Sequence, residues 1–281
     1  MSKQVILVTG ATRGIGFEAV RLLSERLPEA TVLLGCRSIE SGENAIVKLQ
    51  QSSSSFPYSN ITPLVIDVSN LTSIQEAIET VKNTYGSLDA LVNNAAIVGR
   101  LSEGGAEQAF RTNVFGVYNT MEAFLPILPV GKSKVIVVAS TAGSWACHAM
   151  EPNLQSIFLN FETISSQKLS QLSQDWIKSS LNEPSEYKWP NPASTFGSYG
   201  ITKAMIMSLT RKWAKEHSPN VHTVIICPGH CVTDLSDNTG LRAAAQGAEA
   251  VLFPIFNPTE NGEFYYEGQP RDFCLPRPAG R

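Results

Sequence analysis

The stretch that decides the fold reads VILVTGATRGIG and spans residues 5–16. Four apolar residues lead into a glycine-rich turn, and apolar residues with helical spacing follow. Gly10, Gly14 and Gly16 allow a sharp turn and a close approach of the backbone to a bound group. Free N–H groups and the helix dipole favour a pyrophosphate at such a helix start. A strand, a glycine turn and a helix in this order predict a dinucleotide-binding unit.

The first half of the chain repeats this alternation of short apolar runs and longer amphipathic stretches, which is typical of βαβ units. It predicts an α/β fold with a Rossmann-like, doubly wound parallel sheet of about seven strands flanked by helices. The predicted strands span residues 5–8, 31–36, 62–66, 88–92, 134–139, 222–227 and 263–266. The predicted helices span residues 15–26, 40–51, 71–84 and 107–128.

The regular alternation stops at an insert of about residues 151–196. Its apolar residues are spaced mostly three or four apart, which predicts amphipathic helix. Such a helix could cap one sheet edge, form a wall of a substrate cleft, or do both. A chain of 281 residues with 43% apolar residues is long enough for one large core. We therefore expect a single domain over residues 1–281.

Composition narrows the range of partners. The net charge is -3 and the chain has no basic run, which argues against nucleic acid and acidic membrane surfaces as partners. No apolar run approaches the roughly 18 residues of a membrane span. Five cysteines without a C-x-x-C pair argue against a disulfide framework or a metal site. We expect a cytoplasmic protein with reduced thiols that acts on a small molecule.

Tyr199 and Lys203 are four positions apart and share one face of a predicted helix. Beside a nicotinamide, the lysine charge would stabilise the phenolate and make the tyrosine a proton donor suited to carbonyl chemistry. The same spacing also arises by chance, with a partly buried ring beside a solvated charge. The glycine turn at the front of the chain favours the catalytic interpretation.

The end of the second predicted strand indicates which dinucleotide binds. An acidic residue there would bind the ribose 2′-hydroxyl of NAD, but this chain has Arg37, and Arg13 lies within the glycine turn. Guanidinium groups suit a 2′-phosphate, so NADP(H) is favoured. The alternative is that both arginines are solvated surface groups.

With these motifs together, the chain resembles the short-chain dehydrogenase/reductase family over nearly its whole length. The Thr-Gly-x-x-x-Gly-x-Gly spacing is that of the single-domain type. The long insert before Tyr199 resembles the carbonyl reductase subgroup. That resemblance implies a monomeric oxidoreductase that reduces ketones and aldehydes with NADPH.

The resemblance also implies roles for individual residues. Asn113, Ser140, Tyr199 and Lys203 match the catalytic set, with the backbone of Asn113 expected to hold a water in a proton relay to Lys203. Asp67 and Val68 would contact adenine, and Val232 and Thr233 the carboxamide and phosphates. The full expected cofactor site is Gly10, Thr12, Arg13, Gly14, Ile15, Gly16, Arg37, Asp67, Val68, Asn94, Ala95, Tyr199, Lys203, Pro228, Gly229, Val232 and Thr233, and no metal is expected.

Two positions depart from the family pattern. Ala96 stands where the Asn-Asn-Ala-Gly segment has glycine, and its methyl group could shift the loop beside the cofactor. His230 follows Pro228-Gly229, where carbonyl reductases often carry an aromatic residue. It could line the substrate pocket or donate a proton, although a loop histidine is more often solvated.

The implied reaction is reduction of a ketone, aldehyde or quinone to an alcohol. Tyr199 would protonate the carbonyl oxygen, Ser140 would hydrogen-bond it, and Lys203 would lower the pKa of Tyr199 and bind the nicotinamide ribose. Two alternatives stay open: an alcohol dehydrogenase that uses NADP+, and a non-catalytic module that binds NADPH.

Overall fold

The computed structural model describes residues 3–52, 56–99, 104–194 and 196–278. Its centre is one sheet of eight strands in the order β3-β2-β1-β4-β5-β6-β7-β8. All neighbours are parallel except β7 and β8. The strands are β1 (Val5–Val8), β2 (Thr31–Cys36), β3 (Ile61–Val65), β4 (Ala90–Asn93), β5 (Ser133–Val138), β6 (Val221–Cys227), β7 (Phe264–Tyr266) and β8 (Gln269–Pro270).

The predicted fold class is confirmed, and the two-residue strand β8 is an addition to it. The chain runs outward from β1 to β3 and then returns to β4 on the other side of β1. This reversal opens a crevice at the carboxyl ends of β1 and β4, which is where ligands bind in sheets of this kind. The predicted glycine turn follows β1 directly, so it lies at that crevice.

Helices cover both faces of the sheet. They are α1 (Gly14–Arg26), α2 (Ile39–Ser52), α3 (Leu71–Tyr85), α4 (Gly105–Phe110), α5 (Val117–Phe124), α6 (Thr141–His148), α7 (Pro152–Leu159), α8 (Ser166–Ser180), α9 (Ser198–Glu216) and α10 (Ala244–Phe256). Apolar residues of α1, α2 and α10 pack on one face. Those of α3, α5 and α9 pack on the other.

The helix predicted over residues 107–128 is not continuous. A π-helical turn, Arg111–Gly116, separates α4 from α5, and a 3₁₀ turn, Leu125–Ile127, ends the segment. Apolar spacing does not distinguish an α-helical from a π-helical turn. Tertiary contacts fix the local winding instead: the backbone at Gly116 passes so close to Val68 that a Cβ would lie 2.6 Å from the Val68 oxygen.

The insert is helical, as predicted, and forms α7 and α8. It packs on a helical layer made by α4, α6 and α9, and not on a sheet edge. The Trp176 ring of α8 lies edge-on to Phe110 of α4, with 5.7 Å between centroids. The edges of the sheet are β3 and β8, away from this layer. The interpretation of the insert as a cap on a sheet edge is therefore wrong.

No helix within the described residues combines the length and apolarity needed to span a bilayer. All five cysteines are free thiols, and four of them are buried.

Candidate active site

The glycine turn is fixed to the end of β4 by Thr9 and Asn94. Thr9 Oγ1 accepts hydrogen bonds from the backbone N–H groups of Asn94 and Ala95, both at 3.1 Å. Asn94 Nδ2 donates to the oxygens of Thr9 at 2.9 Å and Gly10 at 3.1 Å. Thr9 was not among the predicted site residues. Its position between β1 and the first glycine is the signal that could have found it.

Two glycines of the turn have backbone conformations that favour glycine. Gly10 has φ 63° and Gly14 has φ 58°. A Cβ on Gly10 would lie 2.8 Å from Ala95 Cα, and a Cβ on Gly14 would lie 3.3 Å from Thr233 Cγ2. The side chain of Arg13, the N-cap of α1, does not cap the helix. The first N–H groups of α1 are thus available to an anion, and these residues fit a dinucleotide pyrophosphate.

The two arginines predicted to read the 2′-phosphate have different surroundings. Arg37 follows β2 and is exposed, and the β2 backbone bonds to the glycine turn because Ala11 N donates to Gly35 O at 2.9 Å. Arg13 instead forms an ion pair with Asp234 at 3.0 Å. The guanidinium of Arg13 thus already has a carboxylate partner.

The remaining predicted cofactor residues lie after β3, in the glycine turn and at the start of α1. The carboxylate of Asp67 accepts hydrogen bonds from the N–H and hydroxyl of Ser69, at 2.9 and 2.7 Å. Val68 beside it is buried. Thr12 and Ile15 belong to the glycine turn and the first turn of α1, and both are partly buried. Ala96 has no left-handed backbone conformation, so alanine fits there without strain.

The segment after β6 folds towards the glycine turn. Pro228 and Gly229 follow the strand, Thr233 faces Gly14, and Val232 is 42% exposed. The structure thus brings together two segments that the sequence places more than 200 residues apart. His230 is exposed, with its ring nitrogen 3.4 Å from the Thr239 hydroxyl. His230 therefore has the surroundings of a solvated loop histidine.

Ser140 and Tyr199 meet at the carboxyl end of β5. Ser140 is the N-cap of α6, and Tyr199 lies in the first turn of α9. Ser140 is close enough to Tyr199 to favour the phenolate and so to lower the pKa of the phenol. The two helices can approach because α6 has glycine at the contact: a Cβ on Gly143 would lie 2.7 Å from the backbone carbon of Lys203.

Lys203 lies beside the same tyrosine, as the spacing predicted. Its Nζ is 5.5 Å from the centroid of the Tyr199 ring and donates a 2.7 Å hydrogen bond to the oxygen of Val138. Burial lowers the pKa of Lys203 to about 8. The ammonium is thus held in a poorly solvated position where its charge acts strongly on its neighbours.

The pKa of Tyr199 differs from the expectation. Burial raises it, and the hydrogen bond with Ser140 partly opposes that rise. We expected the charge of Lys203 to lower it. Removing the phenol from water disfavours the phenolate, and in the protein alone this effect dominates. The phenol consequently keeps its proton at neutral pH.

Asn113 occupies the π-helical turn and is fully buried. Its Oδ1 accepts from Ile97 N at 2.9 Å, and its Nδ2 donates to Ile97 O at 2.8 Å and to Thr202 Oγ1 at 3.1 Å. Thr202 also donates to Tyr199 O at 2.8 Å. Single π-helical turns are frequent at functional sites. Thr202 therefore links two predicted catalytic residues, although the sequence did not single it out.

The C-terminal tail crosses the same region. Ser144 Oγ of α6 donates to Asp272 O at 3.4 Å, and the guanidinium of Arg277 lies 4.6 Å from the centroid of the Phe196 ring. Phe196 precedes Tyr199 by three residues. The tail is thus part of the surroundings of the site.

The chain belongs to the short chain dehydrogenase family, whose model matches residues 4–152. Over its full length it is similar to two groups of curated relatives. It is 30% identical to rat carbonyl reductase [NADPH] 3, over 92% of this chain and 93% of the relative. It is 27% identical to (+)-neomenthol dehydrogenase of Capsicum annuum, over 94% and 96%.

The fold has solved counterparts. Salutaridine reductase from Papaver somniferum superposes with a TM-score of 0.80 at 23% identity, over 94% of this chain and 99% of that one. The protein is therefore a short-chain oxidoreductase, as the sequence motifs predicted, and its relatives include carbonyl reductases and a terpenoid dehydrogenase.

Proposed function

We propose that this oxidoreductase reduces a ketone, aldehyde or quinone to the alcohol with NADPH. The observation that carries the proposal is the convergence of Ser140, Tyr199 and Lys203 at the carboxyl end of β5. The glycine turn that fits a pyrophosphate follows β1 at the same edge of the sheet. The names of the carbonyl reductase relatives support NADPH as the cofactor.

The proposed cofactor site is the one expected from the sequence, with Arg37 as the main ligand of the 2′-phosphate. The first N–H groups of α1 would bind the pyrophosphate, and Lys203 would bind the nicotinamide ribose. A bound NADPH would supply the hydride. The protein would position the carbonyl group against it, which provides much of the acceleration in reactions of this kind.

The protein side chains would manage the proton. Tyr199 Oη would donate its proton to the carbonyl oxygen. Ser140 Oγ would hydrogen-bond that oxygen while negative charge develops. The ammonium of Lys203 would stabilise the phenolate left behind, and a water held at the Asn113 backbone would return a proton.

We also propose one domain over residues 1–281 and a monomer. α8 covers Phe110 of α4, and Ser208 Oγ of α9 donates to Phe158 O of α7 at 2.8 Å. The insert thus covers surface on both helices, and the resemblance to the carbonyl reductase subgroup supports a monomer.

Replacing Tyr199 tests the proposal. We expect Tyr199→Phe to lower the rate of NADPH oxidation with ketones, aldehydes and quinones to below about 1%. NADPH affinity, measured by fluorescence titration, should stay near the wild-type value. Tyr118→Phe, which removes a partly buried hydroxyl on α5, is the matched control. Full activity in Tyr199→Phe would reject Tyr199 as the acid, and binding without turnover in the wild type would indicate a non-catalytic module.

A further inference from the structure

An aromatic pair is carried by the two segments that also carry Ser140 and Tyr199. The rings of Trp145 and Phe196 are 5.9 Å apart between centroids. Trp145 follows Ser140 by five residues on α6, a rise of about 7.5 Å, and Phe196 precedes Tyr199 by three. Each ring is therefore close in sequence to one of the two hydroxyls.

The guanidinium of Arg277 contacts both rings of this pair. Its Cζ lies 4.6 Å from the centroid of Phe196 and 5.9 Å from that of Trp145. Such contacts use the face of the guanidinium and leave the N–H groups at its edge for other partners. The side chain is exposed, so those groups face solvent.

The tail residues just before Arg277 are attached to the rest of the protein. Arg271 N donates to Phe264 O of β7 at 2.7 Å. The Phe273 ring stacks on the guanidinium of Arg211 of α9, with 3.8 Å from Cζ to the centroid. Together with the Ser144–Asp272 hydrogen bond, these contacts attach the tail to β7, α9 and α6 in turn. Arg277 lies four residues beyond the last of these anchors, Phe273.

Arg277 also lacks a carboxylate partner among the described residues. Arg13 and Arg242, by contrast, pair with Asp234 and Glu267 at 3.0 and 3.3 Å. A stacked guanidinium with free in-plane donors suits a bidentate bond to a carboxylate. We infer that Arg277, Trp145 and Phe196 form a subsite that selects aromatic carbonyl substrates bearing a carboxylate. This inference rests on the proposed function and names its substrate class.

A matched pair of aldehydes tests the subsite. 4-Carboxybenzaldehyde carries the carboxylate, and methyl 4-formylbenzoate is its neutral counterpart. We expect the ratio of their kcat/KM values, acid over ester, to fall about tenfold or more in Arg277→Gln. Arg277→Lys, which keeps the charge but loses the planar fork, should give an intermediate ratio. Arg26→Gln is the control, because Arg26 lies over Phe256 at the far end of α1. An unchanged ratio in Arg277→Gln would overturn the inference.

Ligand binding separates this inference from the proposed function. Calorimetry of the full-length protein with benzoate and benzamide needs no turnover. Tighter binding of benzoate in the wild type, lost in Arg277→Gln, would support the subsite even if neither aldehyde is reduced. That failure of reduction would count against the proposed function alone. Equal binding of both compounds, or benzoate binding that survives in Arg277→Gln, would overturn the subsite.

Discussion

Lys203 donates a 2.7 Å hydrogen bond from Nζ to the main-chain oxygen of Val138, the last residue of β5. The lysine is 3% exposed, so this bond attaches the first turns of α9 to the sheet where the catalytic side chains meet. A buried ammonium held mainly by a carbonyl oxygen is costly to desolvate, which is why burial lowers the pKa of Lys203 to about 8.

The lowered pKa of Lys203 predicts how stability depends on pH. Between about pH 8 and 10 the folded protein loses the lysine proton while the unfolded chain keeps it. The unfolded state then binds more protons, so the free energy of unfolding rises with pH through this window. We expect the free energy of unfolding of the wild type, measured relative to that of Lys203→Met, to rise by up to about 3 kcal/mol between pH 7 and pH 10.

Urea unfolding of both proteins at pH 7, 8.5 and 10 measures this gain. The raised pKa values of the buried thiols and of Tyr199 remove stability as pH rises through the thiol and phenol range. Taking the difference between the two proteins cancels this effect for a group remote from Lys203, such as Cys147, but not for Cys227, whose charge interacts with that of Lys203. A difference that does not change with pH would contradict the prediction.

Thr202 joins Asn113 to the backbone of Tyr199, so its hydroxyl should matter for both stability and turnover. Thr202→Val keeps the shape and leaves the Asn113 amide with one partner fewer. We expect the free energy of unfolding to fall by about 1–3 kcal/mol and kcat to fall with it. Thr80→Val is the control, because the Thr80 hydroxyl makes a similar bond to Glu76 O on the exposed face of α3. Equal losses in the two variants would show that Thr202 has no special role.

The sequence predicted those features that depend on local pattern. The apolar runs located the strands, the glycine turn located the crevice, and the four-residue spacing placed Lys203 beside Tyr199. Features that depend on distant partners were not predictable. Asn113 lies in a π-helical turn, and its amide bonds to Ile97 and Thr202. No local pattern in the sequence encodes those contacts.

The same distinction explains the two arginines and the tail. The sequence offered both Arg13 and Arg37 as candidates for binding a 2′-phosphate. In the structure, Arg13 pairs with Asp234, which is more than 200 residues away. Arg277 reaches Trp145 and Phe196 only because the tail folds back over α6. In both examples, contacts between residues far apart in the sequence determine the partners of the arginine.

Gly143 sets how closely α6 approaches α9. A Cβ there would lie 2.7 Å from the backbone carbon of Lys203 and 2.8 Å from Ala204 N. Because both atoms are backbone, we expect Gly143→Ala to push α6 outward and to lower the free energy of unfolding by about 1–3 kcal/mol. The displacement should also move Ser140, the N-cap of α6. Thermal unfolding and turnover measure the two effects, and wild-type values of both would refute close packing at this position.

Arg37 should govern cofactor preference more strongly than Arg13. Arg37→Asp replaces an exposed guanidinium beside the glycine turn with a charge that repels a 2′-phosphate and can accept from a ribose hydroxyl. We expect the ratio of kcat/KM for NADPH over NADH to fall about tenfold or more. Arg13→Gln should change the ratio less, because Asp234 already engages Arg13. If Arg13→Gln has the larger effect, the ion pair with Asp234 must give way to the cofactor, and Arg13 would then be the main ligand of the phosphate.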